Sequence, residues 1–306
     1  MSSRHRRRAR ENGAGTKKKL PKVTLSVTGT LIPSSPMMQR PGLDPEVILA
    51  IQDLDALIND MRKGLEYPSA PEDEESSVKR YLLYVSMLVD CVLPDIIMSA
   101  IAEHDVMVQI KQRILLEHSV KAIYYDEHPD YALYMMTVCE AESIVRKLSK
   151  AKSPPDRIAA AQKHADEMRA KFPVPAKMAE KSFEMIFAEY ADPDDYVWLY
   201  GAPSALLHAD PEGMRALLEQ HSDGSQVPTL VFDLNHVNAM LVDTGRNALF
   251  FCDRFVDRFL PGNEAFQARV RASHRRFLGF ILTHPDGRDD DALEAVREEI
   301  AKLEDS

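Results

Sequence analysis

The chain is poor in the residues that build turn-rich or stapled folds. Glycine contributes 12 of 306 residues, about 4% against an average near 7%, and there is a single tryptophan, Trp198. The three cysteines, Cys91, Cys139 and Cys252, are far apart and odd in number, with no C-x-x-C pair. That excludes a disulfide framework and a cysteine-built zinc site, and a reducing, cytoplasmic setting is expected. No G-x-G-x-x-G or Walker loop is present, so no glycine cradle for a phosphate is expected. H-E-x-x-H is absent, and no histidine follows a glutamate by three, which excludes the ligand spacing of a di-iron bundle. The nearest approach is Asp233-x-x-His236, a spacing more typical of a surface hydrogen bond. Ser204 in Gly-Ala-Pro-Ser lacks the flanking glycines of a nucleophile elbow. We therefore expect no cofactor and no metal.

Charge of one sign is also scarce where a nucleic-acid coat would need it, since the net charge is −10. The distribution is uneven. Residues 1–22 hold nine Lys/Arg against one Glu, so they carry +8 and the remaining 284 residues carry −18. Residues 1–43, with Arg4, Arg6, Arg7, Arg8 and Arg10 and a Ser/Pro/Met-rich stretch, are expected to be a disordered basic tail. It is either a solubilising end or a polybasic arm drawn to RNA, DNA or anionic surfaces, with RNA the expected partner. The basic end runs from Lys19 into Leu-Pro-Lys without the apolar core of a secretory signal.

What the chain has in quantity is helical periodicity. The longest apolar run, Tyr81–Ala102, is long enough to span a bilayer, but Asp90 and Asp95 near its middle would each cost roughly 2.5–3.5 kcal/mol there. A buried helix kinked at Pro94 is expected instead, with no membrane span. Asp44-Pro45-Glu46 carries the marks of a helix start, and Ile51, Leu54, Ile58, Met61 and Leu65 recur at steps of three and four. Residues 67–77 read as an acidic, solvated linker. Helices are expected over 79–104, 106–127, 129–149, 156–171, 176–191, 211–221 and 263–283. Residues 229–260 permit a hairpin turning at Asp243-Thr244-Gly245, but Val237, Leu241, Ala248, Phe251 and Phe255 line one helical face, which favours helix. The expected architecture is an all-α, multi-helix bundle over 44–285. A charged amphipathic helix within 286–306 follows it.

Two polar groupings interrupt this apolar pattern. Arg113 and Glu117 are four residues apart, about 40° around a helix, so they share a face. Ile114, Leu115, Leu116, Val120 and Ile123 surround them. Buried charges need partners, so the pair is expected to recruit a third group. His118 lies about 140° from Arg113 and projects elsewhere. Downstream, Tyr200, Pro203, Ser204 and His208 put Ser204 and His208 on one face of a short proline-started turn.

The R-x-x-x-E helix followed by Tyr200-x-x-x-Ser204-x-x-x-His208 resembles an uncharacterised bacterial helical family, over residues 80–285, with Leu115–Ala132 (LLEHSVKAIYYDEHPDYA) sharing its look. That likeness implies an all-helical fold and no particular activity. Arg113-Ile-Leu-Leu-Glu-His118 is also similar to the R-φ-x-x-x-H signature of the HEPN helical ribonucleases. The similarity implies metal-independent RNA cleavage in a homodimer, with histidine moving the proton of the attacking 2′-hydroxyl and arginine stabilising the phosphorane. HEPN motifs carry a polar residue after the arginine and begin a helix, whereas here Ile114 follows and the match falls mid-helix. Two readings follow. In one, Arg113, Glu117, Ser204 and His208 form an interhelical pocket, with His118 and Tyr200 as secondary members. In the other, they form a structural polar network in an adaptor or ligand-binding module.

Overall fold

The computed structural model describes residues 40–66, 71–173, 178–191, 200, 218–220, 226–228, 232–285, 288 and 290–304. The described residues form an all-α bundle of α1 (Pro45–Arg62), α2 (Glu74–Ile101), α3 (Asp105–Glu127), α4 (Pro129–Tyr134), α5 (Glu140–Lys150), α6 (Pro155–Lys171), α7 (Phe183–Phe187), α8 (Leu234–Leu249), α9 (Cys252–Phe259), α10 (Glu264–Thr283) and α11 (Asp290–Glu304). A π-helical turn, Met135–Cys139, joins α4 to α5. The region read as a basic tail lies outside the described residues up to position 39. Its last residues do not: Arg40 is buried against Asp105.

The first helix follows from its sequence. The Asp44 side chain accepts the Glu46 N–H at 2.8 Å, and Pro45 occupies the first turn. Ile51, Leu54, Ile58 and Met61 are buried as expected, with Leu65 packed at the rim. α2 begins earlier than the linker reading of 67–77 allowed. Asp73 caps it through a reciprocal bond with Ser76, and Glu74 and Glu75 form its acidic first turn. These carboxylates are solvated, but they sit at the positive end of a helix dipole rather than in a connector.

α2 runs unbroken through Pro94 and packs against α1 and α3. Among the described residues it is the one helix long and apolar enough to cross a membrane, and half of that apolar stretch is buried in the bundle. Its two mid-helix acids are paired sideways, Asp90 with Arg62 at 2.8 Å and Asp95 with Lys111 at 2.6 Å.

Three expectations need correction. Of the helix expected over 211–221, the described residues Leu218–Gln220 are a strand, paired antiparallel with Gln226–Pro228 in the register Leu218 opposite Pro228, and the others lie outside the described residues. Asp223-Gly224, between the two strands, is a hairpin signal that outweighs helical propensity there. The helix expected over 176–191 shrinks to α7, because Ser182 caps at Met185 and the preceding Lys181 N–H is spent on the Tyr131 hydroxyl at 2.7 Å. Residues 234–259 are helical, as favoured, but break at Phe250–Phe251 into α8 and α9. Gly245 lies inside α8 rather than in a turn. A Cβ there would meet the Phe277 ring at 2.1 Å, so glycine lets α10 approach the α8 backbone.

The N-terminal helix is closed into the bundle by distant groups. Arg40 donates to both carboxylate oxygens of Asp105, at 2.5 and 3.0 Å, and to the Ala100 carbonyl. Asp105 also accepts the Phe232 N–H at 2.8 Å. The Asp44 N–H donates to Asn238 at 2.9 Å, and the Asp44 carboxylate meets His284 at 2.9 Å.

Candidate functional site

α3 supplies the centre of the site because its register repeats every four residues. Arg113 and Glu117 share a face, as the spacing requires, and Lys121 continues the row. The two charges do not meet directly, for the shortest Arg113–Glu117 separation is 3.7 Å. The Tyr200 hydroxyl sits between them, accepting from Arg113 Nη2 at 2.6 Å and donating to Glu117 Oε2 at 2.9 Å. The Arg113 guanidinium also lies over the Tyr200 ring, 4.3 Å from its centroid. Lys121 Nζ donates to Glu117 Oε1 at 2.6 Å, so both carboxylate oxygens are occupied. Phe183 of α7 backs the assembly, its ring 4.6 Å from that of Tyr200 and 5.8 Å from Lys121 Nζ.

The electrostatics follow the geometry. Burial works to raise the Glu117 pKa, but hydrogen bonds and charge from Lys121, with the Tyr200 hydroxyl, outweigh it and hold the carboxyl below its usual value. The Tyr200 phenol is pushed up by burial and by the Glu117 carboxylate it faces, so it stays protonated as a donor. Arg113 Nε is buried and has no hydrogen-bond partner among the described residues.

The expected third group is thus Tyr200. Lys121 and Phe183 escaped the sequence reading, although the 113, 117, 121 spacing was there to be extended. Ser204 and His208 lie outside the described residues. His118 projects away from Arg113, as its 140° offset requires. Its Nδ1 lies 3.0 Å from the Tyr81 hydroxyl, and its ring stands edge-on to Tyr84 at 5.4 Å. Burial depresses its pKa to about 4, so it is neutral at pH 7. The two ends of the R-φ-x-x-x-H match therefore occupy separate environments, one charged and one aromatic.

Two clefts of about 320 and 290 Å³ lie around α4, sharing Asp130 and Met178, and neither is lined by Arg113, Glu117 or Tyr200. Among the described residues no three His, Cys, Asp or Glu side chains are grouped to hold a metal ion. No family model, curated protein or solved structure matches the chain.

Proposed function

We propose that the Arg113–Tyr200–Glu117–Lys121 cluster is a structural polar network and that the chain is a non-enzymatic helical binding or adaptor module. The observation that carries this reading is the position of the Tyr200 hydroxyl, which bonds Arg113 Nη2 and Glu117 Oε2 at once. A group built for catalysis leaves its acid, base or electrophile open toward a substrate. Here the carboxylate is doubly bonded, and His118, the proton-transfer group of the HEPN-like match, is a neutral imidazole held by Tyr81 on another face.

One observation favours the second reading, a metal-independent ribonuclease of the HEPN type with RNA drawn in by the basic N-terminal residues. The buried Arg113 Nε, without a partner among the described residues, is a donor that a phosphate oxygen would satisfy. Induced expression of the full chain in a bacterial host, with total RNA run on a gel, decides between the two. The adaptor reading expects normal growth and intact RNA for wild type, Arg113→Ala and His118→Ala alike. Growth arrest with degraded RNA, cured by Arg113→Ala at unchanged melting temperature, would establish the nuclease.

A further inference from the structure

α2 packs one side into the core and leaves an apolar stripe outside. Tyr84 is 43% exposed and Met87 38%; Cys91 is exposed and Met98 half-buried. These four positions fall within an arc of about 60° on the helix. α3 runs beside the stripe, as the Asp95–Lys111 and Tyr84–His118 contacts fix, and adds Met107, 42% exposed, and half-buried Ile114. The one acid within the stripe, Asp95, is neutralised by Lys111, so between its Arg80 and Glu103 ends the face carries no net charge on a body of −18.

We propose that this face is the contact surface of a homodimer, in which the α2 helices of two copies pack antiparallel across a two-fold axis at Cys91. Three features select a second copy as the occupant. The stripe runs from Arg80 to Ala102 with Cys91 at its centre, so a two-fold there superimposes it on itself. That arrangement sets Met98 against the partner's Tyr84. It also sets Arg80 near the partner's Glu103 and the carbonyl end of its α2, a complementary contact made twice. The face is about 33 Å long and about 20 Å wide, roughly 650 Å² per copy, close to the ~800 Å² of a standard stable interface. The inference is independent of the reading given to Arg113 and Glu117.

Cys91 supplies the test, because Cys139 and Cys252 are buried. Facing helices 8–10 Å apart bring two-fold-related cysteines within disulfide reach. Sedimentation velocity of the full chain at tens of micromolar should show a dimer. Oxidation with copper phenanthroline should link it covalently, and Cys91→Ser should abolish the link. Met87→Glu sets a carboxylate against the partner's Asp95 and should weaken association roughly tenfold or more, with an unchanged helical spectrum and melt. Tyr84→Lys serves as a second disrupting variant should Met87→Glu fail to fold. A wild-type monomer would overturn the proposal, and so would a dimer that survives the folded disrupting variant or does not cross-link through Cys91. A monomer that co-floats with lipid vesicles would assign the stripe to a membrane surface and equally overturn it.

Discussion

Breaking the Arg40–Asp105 pair should unfold far more than its position near the chain's beginning implies. Asp105 is fully buried and Arg40 only 9% exposed, and the two form a bidentate pair that also engages the Ala100 carbonyl and the Phe232 N–H. Arg40→Ala leaves a carboxylate in the interior with, among the described residues, the Phe232 N–H as its remaining long-range donor. The cost of stranding one partner of a buried pair is about 3–5 kcal/mol. In a chain of this size, where about 1 kcal/mol moves the melting temperature by roughly 2–4 °C, that is about 6–20 °C. Asp105→Leu should cost as much, by stranding the guanidinium. Arg40→Met with Asp105→Leu should recover most of the loss, because removing both charges removes the desolvation penalty along with the attraction. The assay is urea unfolding followed by circular dichroism for the wild type, both single variants and the double. A midpoint unchanged in Arg40→Ala would refute the reasoning, and so would a double variant as unstable as the sum of the singles.

Gly245→Ala should destabilise by about 1–3 kcal/mol, since the added methyl meets the Phe277 ring at 2.1 Å; thermal melts check it, and a Phe277→Leu background should relieve it. Tyr200→Phe keeps the ring over Arg113 but removes the hydroxyl shared with Glu117, and should lower stability by about 1–3 kcal/mol in chemical denaturation. Burial and the neighbouring Asp90 carboxylate raise the Asp55 pKa to about 6, above its unfolded value, so its ionisation costs stability as pH rises from about 4 through 6. Asp55→Asn should therefore stabilise at pH 7.5, by about 1 kcal/mol for a carboxyl partly screened by solvent, and change nothing at pH 3.5.

Local physics made most of the helices readable. The Asp44-Pro45 start and the 51, 54, 58, 61 stripe are properties of a few adjacent residues, and α1 forms where they place it. The 40° offset of Arg113 and Glu117 and the divergence of His118 follow from helix geometry alone, and side-chain contacts agree with both. What could not be read locally was anything decided by a distant partner. Asp105 looks like an ordinary first-turn acid until Arg40, 65 residues earlier, closes on it. Gly245 looks like a turn residue until Phe277 requires the space. Leu218–Gln220 is different: Asp223-Gly224, a few residues further on, is a local turn signal that the expected helix over 211–221 left out of account.

The stitching of α1 has a consequence for how the protein is made. Apart from α2, which meets it through the Arg62–Asp90 pair, its stitching groups come from the last third of the chain: Phe232 beside Asp105, Asn238 and His284 at Asp44, and Arg276 at Asp53. A ribosome adding about 5–20 residues per second needs roughly 10–40 s to carry synthesis from Arg40 to that region. For that interval the apolar stripe of α1 lacks its α8 and α10 partners, and α2 already offers a second apolar surface beside it. The nascent chain therefore passes through a stage in which α1 and α2 can pair through Arg62 and Asp90 but the α8 and α10 side of α1 is still uncovered. Substitutions at Asn238 or His284 would lengthen that exposure without touching the helices it endangers.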